Sequence, residues 1–178
     1  MLRLTRPTET DVDHYRDRVA NLSPTYPAPG DFRSFERTAI VGHGYNALTA
    51  GRQSLLQWQM HTAAGVTVDP TPLEPNQTVI LWTQTLRIWI LFACRISDVI
   101  DETDRFGFTY ITLPDHPEQG EETFMLHLQD EIVHFAVSAR SRPGTTISRA
   151  AGPIGKALQR RYSNQYLTAM KTCIAQSL

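Results

Sequence analysis

The stretch that decides the fold is RFGFTYITLPDHPEQGEETF, residues 105–124. It reads as a strand, a polar loop bracketed by Pro114 and Pro117, and a second strand. Phe106, Phe108 and Tyr110 alternate along the first arm, and Phe124, Leu126 and Leu128 carry the alternation into the second. A period of two puts these side chains on one face of a sheet. An ordinary hairpin turns on a Gly, Asn or Asp alone. This loop instead gathers Asp115, His116, Glu118, Glu121 and Glu122.

Further strands follow from the same pattern on either side, at 78–88, 93–101, 106–113, 121–128 and 132–140. The links between them are as short as Glu102-Thr103-Asp104 and Gln129-Asp130-Glu131, and short links force antiparallel neighbours. Upstream, residues 35–43 read as a strand. A helix over 45–58 is expected next, with Leu48, Gly51, Leu55 and Trp58 on one face, then a short strand at 65–68. Residues 8–22 predict a charged helix whose apolar face is Val12, Tyr15, Val19 and Leu22, followed by a connector holding Pro24, Pro27, Pro29 and Gly30. Pro153 after Gly152 marks the start of a last helix running to about residue 175. Its stripe is Ile154, Leu158, Tyr162, Tyr166, Met170 and Ile174, and Lys156, Arg160, Arg161 and Lys171 lie on its far side.

An apolar sheet face must be covered, and the last helix carries the one long apolar stripe available. The expected class is α+β, a curved antiparallel sheet gripping a long C-terminal helix, with a cavity between them. Residues 1–30 form an N-terminal helix and connector, and 31–178 form the body.

Bulk properties narrow the function. A chain of 178 residues with 41% hydrophobic content buries about two thirds of its surface and needs no staples. A net charge of −1 with mixed signs gives no nucleic-acid footprint. Cys94 and Cys173 form no disulfide framework and the N-terminus has no apolar leader, so a reducing, cytoplasmic setting is expected. The apolar run at 79–100 is broken by Thr83, Gln84, Thr85, Arg87, Arg95 and Asp98, so no membrane span is expected. No His-x-x-x-His or phosphate-loop spacing is present, so neither metal nor cofactor is expected. Oligomeric state stays open.

The segments Trp58–Val66 (WQMHTAAGV), Cys94–Glu102 (CRISDVIDE), Gly107–Phe124, Ser141-Arg142-Pro143 and Gly152-Pro153 resemble an uncharacterised family of bacteria and plants. This domain-of-unknown-function family is grouped with the START-like, helix-grip proteins. Its pattern carries Gly where this chain has Ile111 and favours Gly where it has Asp115. The resemblance implies a helix-grip fold and the START-like habit of enclosing a small hydrophobic molecule. A minority of such domains are cyclases or hydratases, and no catalytic residue is inherited.

The residues singled out for a site are Trp58, His61, Arg95, Phe108, Tyr110, His116, Glu118, Glu121 and Glu122. A carboxylate beside His116 would set its tautomer, and the bland alternative is a braced turn. In strand geometry Glu121 and Glu122 point to opposite faces, so one of them at most faces a cavity. Trp58 and His61 read as a cavity wall or as a helix end favoured by the dipole. Arg95, inside an apolar strand, needs a carboxylate from Asp98, Asp101, Glu121 or a ligand. Phe108 and Tyr110 are core or wall. Three functions stay in play: a binder of a small hydrophobic or amphipathic molecule, an enzyme using a His–carboxylate pair in the 113–122 loop, and an interaction module with a filled core.

Overall fold

Alternating apolar strands that are this long curl to share a core, and the computed structural model shows the result. It describes residues 1–24, 32–145 and 152–178, with side chains in the last segment from Arg161 onward. The elements are β1 (Leu2–Arg3), α1 (Glu9–Val19), β2 (Arg33–His43), α2 (Gly44–Leu56), α3 (Gln59–Ala63), β3 (Val66–Val68), β4 (Thr78–Thr85), β5 (Ile88–Asp101), β6 (Arg105–Thr112), β7 (Glu118–Gln129), β8 (Ile132–Pro143) and α4 (Gly152–Ser177). One eight-stranded sheet runs in the order β2-β8-β7-β6-β5-β4-β3, with β1 pairing β5 from off that path. Every pairing is antiparallel. Most of the connector expected after residue 22, and the side chains of Ile154, Lys156, Leu158 and Arg160, lie outside the described residues.

The concave face is packed by α2, α3 and α4. Phe106, Phe108, Phe124, Leu126, Val133 and Phe135 meet Leu48, Leu55, Met170 and Ile174 there, all buried. Gly51 lets α2 approach this closely: a Cβ at that position would stand 2.8 Å from the Leu126 side chain and 3.2 Å from Ile174. The convex face of β4–β6 has its own cover. Val12, Tyr15 and Val19 of α1 pack on Ile80, Leu91, Ala93 and Leu113, and each such fully buried side chain contributes roughly 1.5–3 kcal/mol. Thr8 and Asp11 close a capping box at the start of α1, satisfying two otherwise orphaned N–H groups.

Arg95 explains the other end of α1. It lies on the convex face and donates through Nη2 to the carbonyls of Ala20 (3.4 Å) and Leu22 (3.3 Å). A guanidinium at a helix C-terminus meets unpaired carbonyls and the negative end of the dipole together. The carboxylate partner expected for Arg95 is therefore replaced by main-chain oxygens, and its role is to seat α1.

Several boundaries differ from expectation for local reasons. The strand expected over 78–88 is two strands, because Leu86 (φ 50°) and Arg87 (φ 66°) form a two-residue turn with Thr85 opposite Ile88. Two successive positive φ values match the twist of the flanking strands, but Leu and Arg carry no turn signal. β5 accordingly begins at Ile88 rather than 93. β7 begins at Glu118 rather than 121. The helix expected over 45–58 ends at Leu56, since Trp58 adopts φ 56°. Its indole Nε1 donates to the Thr71 carbonyl at 2.8 Å, which holds the loop before β4.

Arg95→Met keeps the aliphatic stem and removes the helix-end hydrogen bonds. The expected result is faster hydrogen exchange confined to α1 and a global loss of about 1 kcal/mol. Gly107→Ala is expected to cost on the order of 2 kcal/mol or more in a denaturant melt, because the added Cβ would fall 2.2 Å from the Phe124 carbonyl oxygen.

Candidate functional site

The inward rows of the sheet change size along their length. At one end Phe106, Phe108, Phe124 and Phe135 fill the space under the helices. At the other the inward residues include Thr112, Gly120, Ala139 and Ser141, which cannot fill it. The outcome is a cavity of about 530 Å³ between the sheet and α4, bordered by these four residues together with Phe92, Tyr110, Glu122, Tyr162 and Tyr166. Its rim is built from exposed groups: Met1, Leu2, Arg18 of α1 and Asp115. Arg18 and Asp115 form an ion pair across the rim at 3.3 Å.

Glu122 is a half-buried carboxyl on the cavity wall. It stands opposite Tyr110 across the β6–β7 pair, and the Tyr110 hydroxyl donates to its Oε2 at 2.8 Å. Burial pushes the carboxyl up to about 7, against a smaller lowering by the Tyr110 hydrogen bond. What exposure Glu122 has belongs to the cavity it faces. Burial, reinforced by the Glu122 charge, raises the phenols of Tyr110 and Tyr166 and the Cys94 thiol well above their usual values. A carboxyl balanced near neutrality in an apolar cavity can donate a proton, accept one, or pair with a cation.

The 113–122 loop supplies the outer wall. Asp115 sits at φ 72°, a left-handed conformation that glycine adopts freely and Asp tolerates. His116 packs edge-on against Phe92, with centroids 4.7 Å apart. Its Nδ1 lies 2.7 Å from the Glu118 carbonyl oxygen and 3.0 Å from the Glu118 nitrogen. A protonated Nδ1 donates to the first and a bare Nδ1 accepts from the second. Burial lowers this imidazole to about 4. The expected partner, a carboxylate, is replaced by the Glu118 main chain. The Glu118 carboxylate is turned instead toward Ser141, whose Oγ donates to it at 3.3 Å, and burial raises its pKa.

Of the nine residues singled out in the sequence, Tyr110, His116, Glu118, Glu121 and Glu122 border the cavity. Glu118 and Glu122 share the inward row with Gly120 and Phe124. Glu121 borders the cavity from the outward row, opposite Ile111 and Arg140, as strand alternation requires. Trp58, His61 and Phe108 lie behind the cavity in the filled core. His61 is fully enclosed by Trp58, Phe108, Tyr110, Phe124 and Tyr166. Neither of its ring nitrogens has a hydrogen-bond partner, and burial lowers it to about 3. Sequence reasoning missed Phe92, which lies outside the strand expected there, and the contact of the Tyr162 hydroxyl with Thr83 (3.2 Å) and Thr85 (2.7 Å). Tyr162 was visible only as part of an apolar stripe. Among the described residues no three His, Cys, Asp or Glu side chains converge as metal ligands would.

These shifts have opposite signs in stability. Glu122 holds its proton more tightly folded than unfolded. Its contribution is complete below about pH 4.5 and is lost as pH rises through about 7. His61 and His116 are held neutral, so theirs is complete above about pH 6.5 and is lost as pH falls toward 4 and 3. Glu122→Gln should flatten the loss on the alkaline side, with a relative gain on the order of 2 kcal/mol near pH 8. His61→Phe should flatten the loss on the acid side. Melting temperatures at about pH 5, 7 and 8 check both, and an unchanged pH profile in either variant contradicts the assignment.

The comparisons with known proteins agree with this architecture. The profile of the family described as "Domain of unknown function (DUF1990)" matches residues 6–169. A UPF0548 protein of Deinococcus radiodurans is 30% identical over 93% of this chain and 95% of its own length. A UPF0548 protein of Dictyostelium discoideum is 27% identical over 96% of each chain. Among solved structures, the ZhuI aromatase/cyclase from Streptomyces sp. R1128 superposes with a TM-score of 0.59 at 13% identity, over 82% of this chain and 95% of that one. Ara h 8.0201 gives 0.57 at 10% identity, over 82% and 99%. These likenesses show the START-like helix-grip fold. No helix among the described residues is long and apolar enough to cross a membrane. On the extent of the profile match, the chain belongs to the DUF1990 family.

Proposed function

We propose that this protein binds a small hydrophobic or amphipathic molecule between its sheet and α4. The observation that carries this reading is the cavity of about 530 Å³. Its walls are largely aromatic and aliphatic, with a few polar groups converging on it, which is the make-up of small-molecule sites in general. The helix-grip relatives support the reading at the level of fold. We assign the cavity to the body at 31–178, with Met1, Leu2 and Arg18 of the N-terminal segment bordering it from outside.

A second reading, acid–base catalysis on the same scaffold, draws on Glu122 and Tyr110 rather than on His116, whose ring is engaged with main chain. An enzyme would need a general acid or base near neutrality inside the cavity, and Glu122 meets that requirement. The interaction-module reading loses its motive, since Tyr15 and Val19 are packed at 2% and 0% exposure.

Ala139 lies on the inward row and borders the cavity. Ala139→Phe should fill part of the space and weaken an environment-sensitive fluorophore such as anilinonaphthalene sulfonate about tenfold, with the circular dichroism unchanged. Native mass spectrometry and solvent extraction of the purified protein should recover a bound small molecule. Full retention of fluorophore binding by a folded Ala139→Phe protein would count against the cavity as the site.

A further inference from the structure

The charges around the cavity are unevenly placed. Glu122 spends one carboxylate oxygen on the Tyr110 hydroxyl. Its other oxygen has no hydrogen-bond partner among the described residues, and the half-buried Glu122 side chain borders the cavity. Glu118, four residues along the same strand, faces the same space with a second carboxylate. The described cations stand at the rim and are already engaged. Arg18 pairs with Asp115 and lies 4.8 Å over the Tyr15 ring, and the Met1 amino group donates to the Leu91 carbonyl at 2.5 Å. Phe92, Tyr110, Tyr162 and Tyr166 place aromatic rings along the interior.

We infer that the ligand is a cationic amphiphile, an apolar body carrying a protonated nitrogen that seats against the free oxygen of Glu122. This rests on the reading of the cavity as a binding site. A buried carboxylate with an open oxygen gains most from a charged N–H donor. Aromatic walls add attraction for a cation and none for an anion. A carboxylate or phosphate ligand would instead meet Glu118 and Glu122, and among the described residues the only cations bordering the cavity are the engaged Arg18 and Met1 at the rim, with exposed Arg33 acting on Glu118 from beyond the lining. The described titratable groups acting on or beside Glu122 are Tyr110 on β6, Tyr166 on α4 and Cys94 on β5, with His116 and Glu118 toward the rim. Burial holds these phenols, the thiol and the imidazole neutral at neutral pH, so none of them competes with a ligand cation.

The test compares decylamine, decanol and decanoate on the full chain at about pH 7.5, below their micellar concentrations, by isothermal titration calorimetry and native mass spectrometry. Decylamine should bind at least about tenfold more tightly than decanol, and decanoate most weakly. Glu122→Gln should erase the advantage of the amine over the alcohol and leave alcohol binding in place. Equal binding of amine and alcohol by the unaltered protein overturns the inference without touching the cavity reading, as does an amine preference that survives in a folded Glu122→Gln protein. Failure of all three probes to bind overturns the cavity reading and the inference with it.

Discussion

The central strands of this protein are apolar on both faces, and everything else follows from covering them twice. The concave side is covered by α2, α3 and α4, and the convex side of β4–β6 by α1. Neither cover is optional, because apolar area left on either face forfeits the main favourable term in folding. The two covers also differ in kind. The concave one is a large continuous core with a cavity at one end. The convex one is a small cluster held by three side chains of α1 and by Arg95 at its C-terminus.

The cavity follows from the same arithmetic of side-chain volume. Phenylalanines fill one end of the inward rows, whereas threonine, glycine, alanine and serine occupy the other, so the helix cannot close down on the sheet there. Placing titratable groups in that unfilled end costs solvation. The cost appears as displaced protonation equilibria, a carboxyl lifted toward neutrality and imidazoles held uncharged. His61 shows the same physics with no access to the cavity. Its ring is packed as one more aromatic among five, and its orphaned nitrogens are tolerable only because it stays neutral.

Much of this was legible in the sequence wherever a periodicity met a length. The alternation of Phe106, Phe108 and Tyr110 marked the concave face, and the stripe through Tyr166, Met170 and Ile174 marked the gripped helix. Val12, Tyr15 and Val19 marked a docking face. What was not legible depended on backbone conformations that residue type does not announce. Leu86 and Arg87 take positive φ with no glycine or asparagine to signal it, which hid the β4–β5 turn and, with it, Phe92. Trp58 does the same at the end of α2. The site was half legible. Strand alternation separated Glu121 from Glu122 but did not say which of the two faces the cavity, since the β6–β7 register that sets Glu122 opposite Tyr110 has no mark in the sequence. It could not show that Arg95 faces the other side of the sheet, because both faces of β5 are apolar and the alternation there carries no sign.

A space of this size inside a folded chain is also a thermodynamic debt. The side chains bordering it have given up dispersion contacts that a filled core would make. Whatever occupies the cavity restores those contacts only in the folded state. Occupancy and folding are thus linked through mass action. The melting temperature of the protein is therefore itself a gauge of how well a given molecule fits, readable with no knowledge of what that molecule does.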